Sequence, residues 1–343
     1  MRRRVRYRRR IMAVKIKDVA AHAGVSVGTV SNVLNGRDTV SPAVVARVRA
    51  SIDALGYVRN DAARQLRAGR SRAIALIVLD VGNPFFAAVA RGAEARAAAD
   101  GYVVLLGSSG ADADQERLYL DQFREQRVAG VLLTPADAGG DVVEHLAAAG
   151  IPVVLVDEQT PGDDVCTVSV DDVEGGSLAV AHLLAQGRRR IAFVAGPLTT
   201  RQVADRLTGA RRAVGEVEGA TLEIIETDAM TVLAGRAAGE GLRERDDRPD
   251  AVFAANDLLA VGVLQALTML GDIRVPDDIA LVGYDDIDFA AATVVPLTSV
   301  RQPAEALGST AVDLLLRQLD GGVDPAERQV RFRPELVVRA SSG

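Results

Sequence analysis

From residue 73 onward, eight short and nearly unbroken apolar runs recur, at 73–79, 102–106, 131–133, 153–156, 191–195, 222–225, 251–254 and 279–282, with stretches of helical spacing between them. A strand that is apolar on both faces has to be covered on both faces, and the intervening helices supply that cover. The pattern therefore predicts parallel, doubly wound α/β sheets. About 270 residues are too many for one such domain. Two lobes are expected over residues 72–338: one at about 72–172 with a late return over 302–338, the other at 173–301. Ligand would sit between them at the carboxyl ends of the strands.

The first 70 residues have a different character. They hold 16 Lys and Arg against 4 Asp and Glu, whereas the rest of the chain holds 24 against 42. A basic head on an acidic body implies that the head meets a polyanion and the body does something else. Residues 1–14 read as a disordered basic extension, with seven arginines in the first ten positions. Two readings of residues 1–11 stay open: a stretch preceding a true start at Met12, or an arm gripping phosphates. The apolar stretch after the arginines ends at Lys15, too short for an export signal. One cysteine, Cys166, allows no internal disulfide, and no apolar run reaches the ~20 residues needed to cross a bilayer. The expectation is a cytoplasmic protein with no membrane partner.

Within residues 15–59, Ile16, Val19, Ala20 and Ala23 fall at helical spacing and Gly24 stops the helix. Ser26 is placed to cap a second helix with Val30, Val33 and Leu34 inward, ended by Asn35-Gly36. Ser41-Pro42 opens a third, with the stripe Val44, Val48, Ile52 and Leu55. Three short helices, the first two joined by a tight glycine turn, are the parts of a helix-turn-helix reader. Ala20 is small where the helices approach, and Val30 fills the angle between them. The second helix would present Val27, Gly28, Thr29 and Asn32 to base edges, with Asn32 able to pair with adenine. Otherwise Thr29 and Asn32 are solvated or touch phosphates only.

The run from Lys17 to Gly36, followed by Val40-Ser41 and Leu55-Gly56-Tyr57, resembles the DNA-binding head of the LacI/GalR family of bacterial transcription regulators. By that resemblance, Lys17, Ser26, Ser31, Asn35 and Tyr57 join Val27, Gly28, Thr29 and Asn32 in binding double-stranded DNA. Lys15 stands where the family commonly has a capping threonine, so a weaker start to the first helix is expected. Asn32 stands where well-studied members carry arginine or histidine.

Residues 60–71 read as a linker whose helix opens with the cap residue Asn60 and is ended by Gly69. About two turns of helix are marginal alone, so this one should order only when docked. The resemblance makes it a hinge helix that pairs with its twin in a homodimer. Leu66 and Ala63 would enter the minor groove, with Asn60 and Arg64 near phosphates. The competing reading is an ordinary linker with Leu66 packed on the core.

In the body, polar and aromatic residues follow the strand ends: Asn83-Pro84-Phe85-Phe86, Asp157, Asn256-Asp257 and Asp285. Carboxylates and amides beside phenylalanine are the chemistry of sugar recognition. The resemblance extends to periplasmic sugar-binding proteins and implies a pocket of Asn83, Phe85, Phe86, Asp157, Arg206, Asn256, Asp285 and Gln302. Met230 stands where many members place an aromatic stacker, and Glu158 where ribose-type pockets have arginine. Each residue also has a plainer reading, with Phe85 and Phe86 filling core and Asp285-Asp286 capping a turn.

Three scattered histidines, His22, His145 and His182, and one cysteine make no metal cluster. Neither a phosphate-binding GxxxxGK[ST] loop nor a serine nucleophile elbow is present. No enzyme activity, metal or cofactor is expected. The reading is a repressor that binds a near-palindromic operator as a homodimer and is controlled by a small carbohydrate or polyol. The alternative is a solute-binding protein serving a transporter. With no leucine heptads near residue 343, a zipper-held tetramer is not expected.

Overall fold

A computed structural model describes residues 14–36, 39–57, 71–137, 141–159, 165–269 and 273–343, which form two units divided after Arg70. The basic extension and the linker residues Asn60, Ala63, Arg64 and Leu66 lie outside the described residues.

The first unit is three helices: α1 (Ile16–Ala23), α2 (Val27–Leu34) and α3 (Pro42–Leu55). Gly24 ends α1 in the left-handed conformation at φ 64°, which lets Val25 N–H reach back to Ala20 O at 3.0 Å. Ser26 then caps α2 by accepting from Thr29 N–H at 3.1 Å. Val19, Ala20 and Ala23 meet Val30, Val33 and Val48 in a small core, with Leu34, Val44, Ile52 and Leu55 half-buried around it. Lys15 does not leave α1 loose: its backbone N–H donates to the Asp18 carboxylate at 2.8 Å, one half of a capping box. His22 is exposed and ties α1 to α3 through Nδ1 and Ser51 Oγ at 3.0 Å. Ser51 donates its own proton to Arg47 O, so the proton of the His22 contact sits on Nδ1.

The second unit opens with β1 (Ala73–Val78), α4 (Pro84–Ala99), β2 (Val103–Ser108), α5 (Ala113–Glu125), β3 (Gly130–Leu133), α6 (Asp141–Ala148), β4 (Val153–Val156) and β5 (Cys166–Val170). A second series repeats the plan: α7 (Asp172–Ala185), β6 (Arg190–Ala195), α8 (Arg201–Gly215), β7 (Thr221–Glu226), α9 (Val232–Arg243), β8 (Ala251–Ala254), α10 (Asp257–Thr268), β9 (Ala280–Asp285) and β10 (Thr298–Arg301). The tail adds α11 (Ala304–Leu319), β11 (Gln329–Phe332) and β12 (Glu335–Val337). The first sheet runs β11-β5-β4-β3-β1-β2 and the second β12-β10-β9-β8-β6-β7. All pairings are parallel except β10 with β12.

This topology corrects the expected lobe boundary. The return after Gln302 reaches the first sheet only through α11 and β11. Glu335–Val337 pairs instead with β10 of the second sheet, and Ser341 is buried there, its Oγ donating to Leu281 O at 2.6 Å. The chain thus crosses between lobes three times, before α7, after β10 and between β11 and β12.

Paired glycines set how closely the covering helices approach. At the α7–α8 crossing, a Cβ on Gly176 would lie 2.0 Å from Arg206 O and one on Gly209 1.9 Å from Val173 O. The same reciprocity joins α4 to α11 through Gly92 and Gly308, and α9 to α10 through Gly235 and Gly262. Backbone meets backbone at these points, so no side chain fits.

Candidate functional site

In each sheet the strand order reverses beside one strand, at β1/β3 in the first lobe and β6/β8 in the second, which is where open parallel sheets place ligands. After β1 the chain passes Asp80 to Asn83, which caps α4 by accepting from Phe85 N–H at 3.0 Å. Pro84 then begins the helix, and Phe85 and Phe86 pack edge to face at 5.1 Å. Asp157 follows β4, Asn256 follows β8, and Asp285 ends β9. Asp157 and Asp285 hold positive φ, 58° and 106°, strained for residues with a side chain.

These residues enclose a cavity of about 270 Å³. Its walls include Asn83, Phe85, Phe86, Asp157, Arg206, Met230, Asn256 and Asp285, all expected from sequence. Gln302 does not line it. It lies behind Asp285, donating from Nε2 to Asp285 Oδ1 at 2.8 Å, and borders a neighbouring cavity of about 320 Å³. Asn256 forms wall only: Oδ1 caps Leu259 N–H at 2.9 Å and Nδ2 donates to Met230 O at 3.2 Å.

Arg206 is buried and already engaged. Its Nε donates to Asp172 Oδ1 at 2.8 Å, its Nη1 to Ala255 O at 2.7 Å, and its guanidinium carbon lies 3.7 Å from the centroid of the Tyr284 ring. Burial works against its charge, but Asp172, Tyr284, Asp285 and Asp157 outweigh that and raise its pKa. Asn83 Nδ2 donates across the cleft to Asp285 Oδ2 at 3.2 Å, and Gln202 Nε2 to Asp157 Oδ2 at 3.3 Å. Glu158 pairs with Arg201, also from lobe to lobe. Sequence reasoning missed Asp80, Gln202 and Asp228 in the walls. Asp80 and Asp228 sit just past strand ends, and that placement could have found them.

Burial pushes the Asp285 carboxyl up to about 6, against the pull of Arg206, Asn83 and Gln302. A raised folded-state pKa means that the protonated form suits the fold. The associated stability is present below pH ~4 and is lost as pH rises through about 6. Asn resembles the protonated acid and tolerates positive φ. Asp285→Asn should therefore stabilise the empty protein by up to ~3 kcal/mol at pH 8 and by almost nothing at pH 4, read by urea unfolding. An equal change at both pH values would refute the assignment.

In the head, Ser26, Val27 and Gly28 are exposed at the start of α2, while Thr29, Ser31 and Asn32 are half-buried along it. Thr29 Oγ1 is hydrogen-bonded to Ser26 Oγ at 2.9 Å. Asn35 is exposed, with Nδ2 donating to Ser31 Oγ at 3.4 Å. Lys17 is exposed on α1, whereas Tyr57 is half-buried against the head's core and so helps hold the helices together.

Comparison with known proteins follows this division. Residues 15–60 match bacterial regulatory proteins of the lacI family, and residues 180–342 match the periplasmic binding protein-like domain. The chain is 33% identical to the HTH-type transcriptional repressor PurR of Vibrio atlanticus over 95% of its own length and 98% of the relative's. It resembles the lac repressor dimer bound to operator and the anti-inducer ONPF, with TM-score 0.82 and 27% identity, covering 96% of this chain and 99% of that one. A complex of the transcriptional regulator CelR with cellobiose matches with TM-score 0.69 and 34% identity over 96% and 99% of the two chains. With both parts matched and the likeness running nearly end to end, the chain belongs to the lacI family of bacterial regulatory proteins.

Proposed function

We propose that this protein is a transcriptional repressor that reads a near-palindromic operator as a homodimer and whose grip on DNA is set by a small polyhydroxylated ligand in the cleft. The observation that carries the reading is the cavity itself, walled by both lobes and crossed by the Asn83–Asp285 and Gln202–Asp157 hydrogen bonds. A ligand that satisfies these groups in place of one another changes how the lobes close. In a dimer, that change alters the separation of the two linkers and therefore operator affinity. The CelR complex, a relative holding a sugar, supports the ligand class, and the lac repressor complex supports the dimer on DNA. A solute-binding role for a transporter leaves the head without a purpose.

The test has two readouts on the full chain, thermal stability against sugars and nucleosides, and anisotropy on an operator obtained by in vitro selection. A ligand at 100 times its Kd should add about 2.7 kcal/mol of stability. By linkage the same compound must change operator affinity, and a stabilising ligand without that effect would overturn the coupling.

The linker completes the mechanism. Asn60, Ala63, Arg64 and Leu66 would order on DNA, with Leu66 as the wedge between base pairs. Leu66→Ala should weaken operator binding by roughly tenfold, the scale of one buried leucine, and reduce DNA bending. Undiminished bending in a circular-permutation assay counts against the wedge.

A further inference from the structure

The cleft's charges do not balance. Asp80, Asp157, Asp228 and Asp285 line the cavity, and Arg206 is the one cationic residue among the described lining residues. Asp172 and Ala255 O already take two donors of that guanidinium. Glu158 adds a further carboxylate beside Asp157, and Arg201 answers it. Asp157 itself is 5% exposed, and its Oδ1 has no hydrogen-bond partner among the described residues. Its other oxygens, Oδ2 and the backbone carbonyl, both accept from Gln202. A buried carboxylate oxygen without a donor, in the wall of a cavity rich in carboxylates, calls for a donor that arrives with the ligand.

We infer that the cleft takes a ligand bearing a protonated amine beside its hydroxyls, an amino sugar or amino polyol, with the ammonium on Asp157 Oδ1. The inference rests on the cleft being the effector site. A phosphorylated or carboxylated ligand would bring a like charge to a wall whose one described cation, Arg206, is already paired with Asp172. A neutral sugar would offer Asp157 a hydroxyl but leave the surplus charge unanswered. The ammonium also explains how the wall can become ionised. Burial, then Asp172, with Asp285 and Glu158 adding to them and Arg206 opposing, hold the Asp157 carboxyl well above the usual carboxylate range, so an arriving cation expels a proton. Amine binding should therefore tighten from pH 5 to pH 7, with Asp285, at about 6, contributing in the same direction.

The experiment is isothermal titration of the full chain with glucosamine, glucose, N-acetylglucosamine and glucose 6-phosphate, and with the same four derivatives of galactose and mannose. In at least one series the free amine should bind tenfold or more tighter than its neutral and acetylated counterparts. The gain should shrink at pH 5, and Asp157→Asn should bring the amine-to-neutral ratio close to one. Equal or tighter binding of a neutral or phosphorylated member, or no binding by any amine, overturns the inference. A neutral or phosphorylated sugar that binds and shifts operator affinity does so while leaving the proposed function standing. If no compound in the panel or the wider sugar and nucleoside screen alters operator affinity, both fail.

Discussion

Arg206→Ala should cost the second unit about 3–5 kcal/mol of stability, the usual loss when one partner of a buried ion pair is removed. The reason lies in what the guanidinium holds. Asp172 is 5% exposed and would be left as an uncompensated charge, Ala255 O would lose its donor, and the Tyr284 ring would lose the cation stacked on it. Asp285 and Asp157 would lose their nearest favourable charge as well, so both carboxyls would rise further. Ligand response should disappear along with the stability. Arg206→Lys should recover little, because an ammonium cannot reach Asp172 and the carbonyl together while lying flat on the ring. Urea unfolding measures the change, and a loss under about 1 kcal/mol would show that the pair contributes little.

Gly176→Ala or Gly209→Ala should be nearly as damaging, at about 3 kcal/mol or more, since overpacking that meets backbone cannot be relieved by rotating a side chain. The added methyl would stand 2.0 or 1.9 Å from a carbonyl oxygen, so α7 and α8 would have to separate. That movement carries Arg206 with it, because the carbonyl that Gly176 faces is Arg206's own. The matched control is Gly241→Ala on the exposed side of α9, where nothing lies within 4 Å. There alanine should stabilise by up to ~1 kcal/mol through helix propensity alone. Changes of the same sign at Gly176 and Gly241 would mean that the helix crossing tolerates side chains.

These contrasts show where the sequence was legible. The long apolar runs became β1 to β4 and β6 to β9; apart from the half-exposed edge strands β2 and β7, these are covered on both faces and have no room for polar residues. Cys166–Val170 escaped notice for the opposite reason: its Thr167 and Ser169 are buried, and polar residues in a short run mask a strand. β11 and β12 are edge strands, half-exposed and short, so they carry no continuous apolar signal. Glycines inside helices read as weak points in a sequence, and only the fold shows that six of them are contact points between backbones. Within the cleft, Asn83, Phe85, Phe86, Asp157, Asn256 and Asp285, singled out by their places at or after strand ends, all line the cavity. Which amides face a neighbour and which face the cavity was not readable, as Asn256 and Gln302 show. That choice depends on partners 17 or more positions away, such as Asp285 for Gln302 and Met230 for Asn256.

The late split of the tail between the two sheets bears on how the protein is made. Each sheet receives its last strand from within nine residues, Gln329–Phe332 for one and Glu335–Val337 for the other. During synthesis, therefore, neither lobe can close its edge until that short stretch has emerged, whereas the head is complete by residue 57. A chain halted before residue 329 would carry a finished DNA reader on two sheets with bare β5 and β10 edges, open to pairing with another chain.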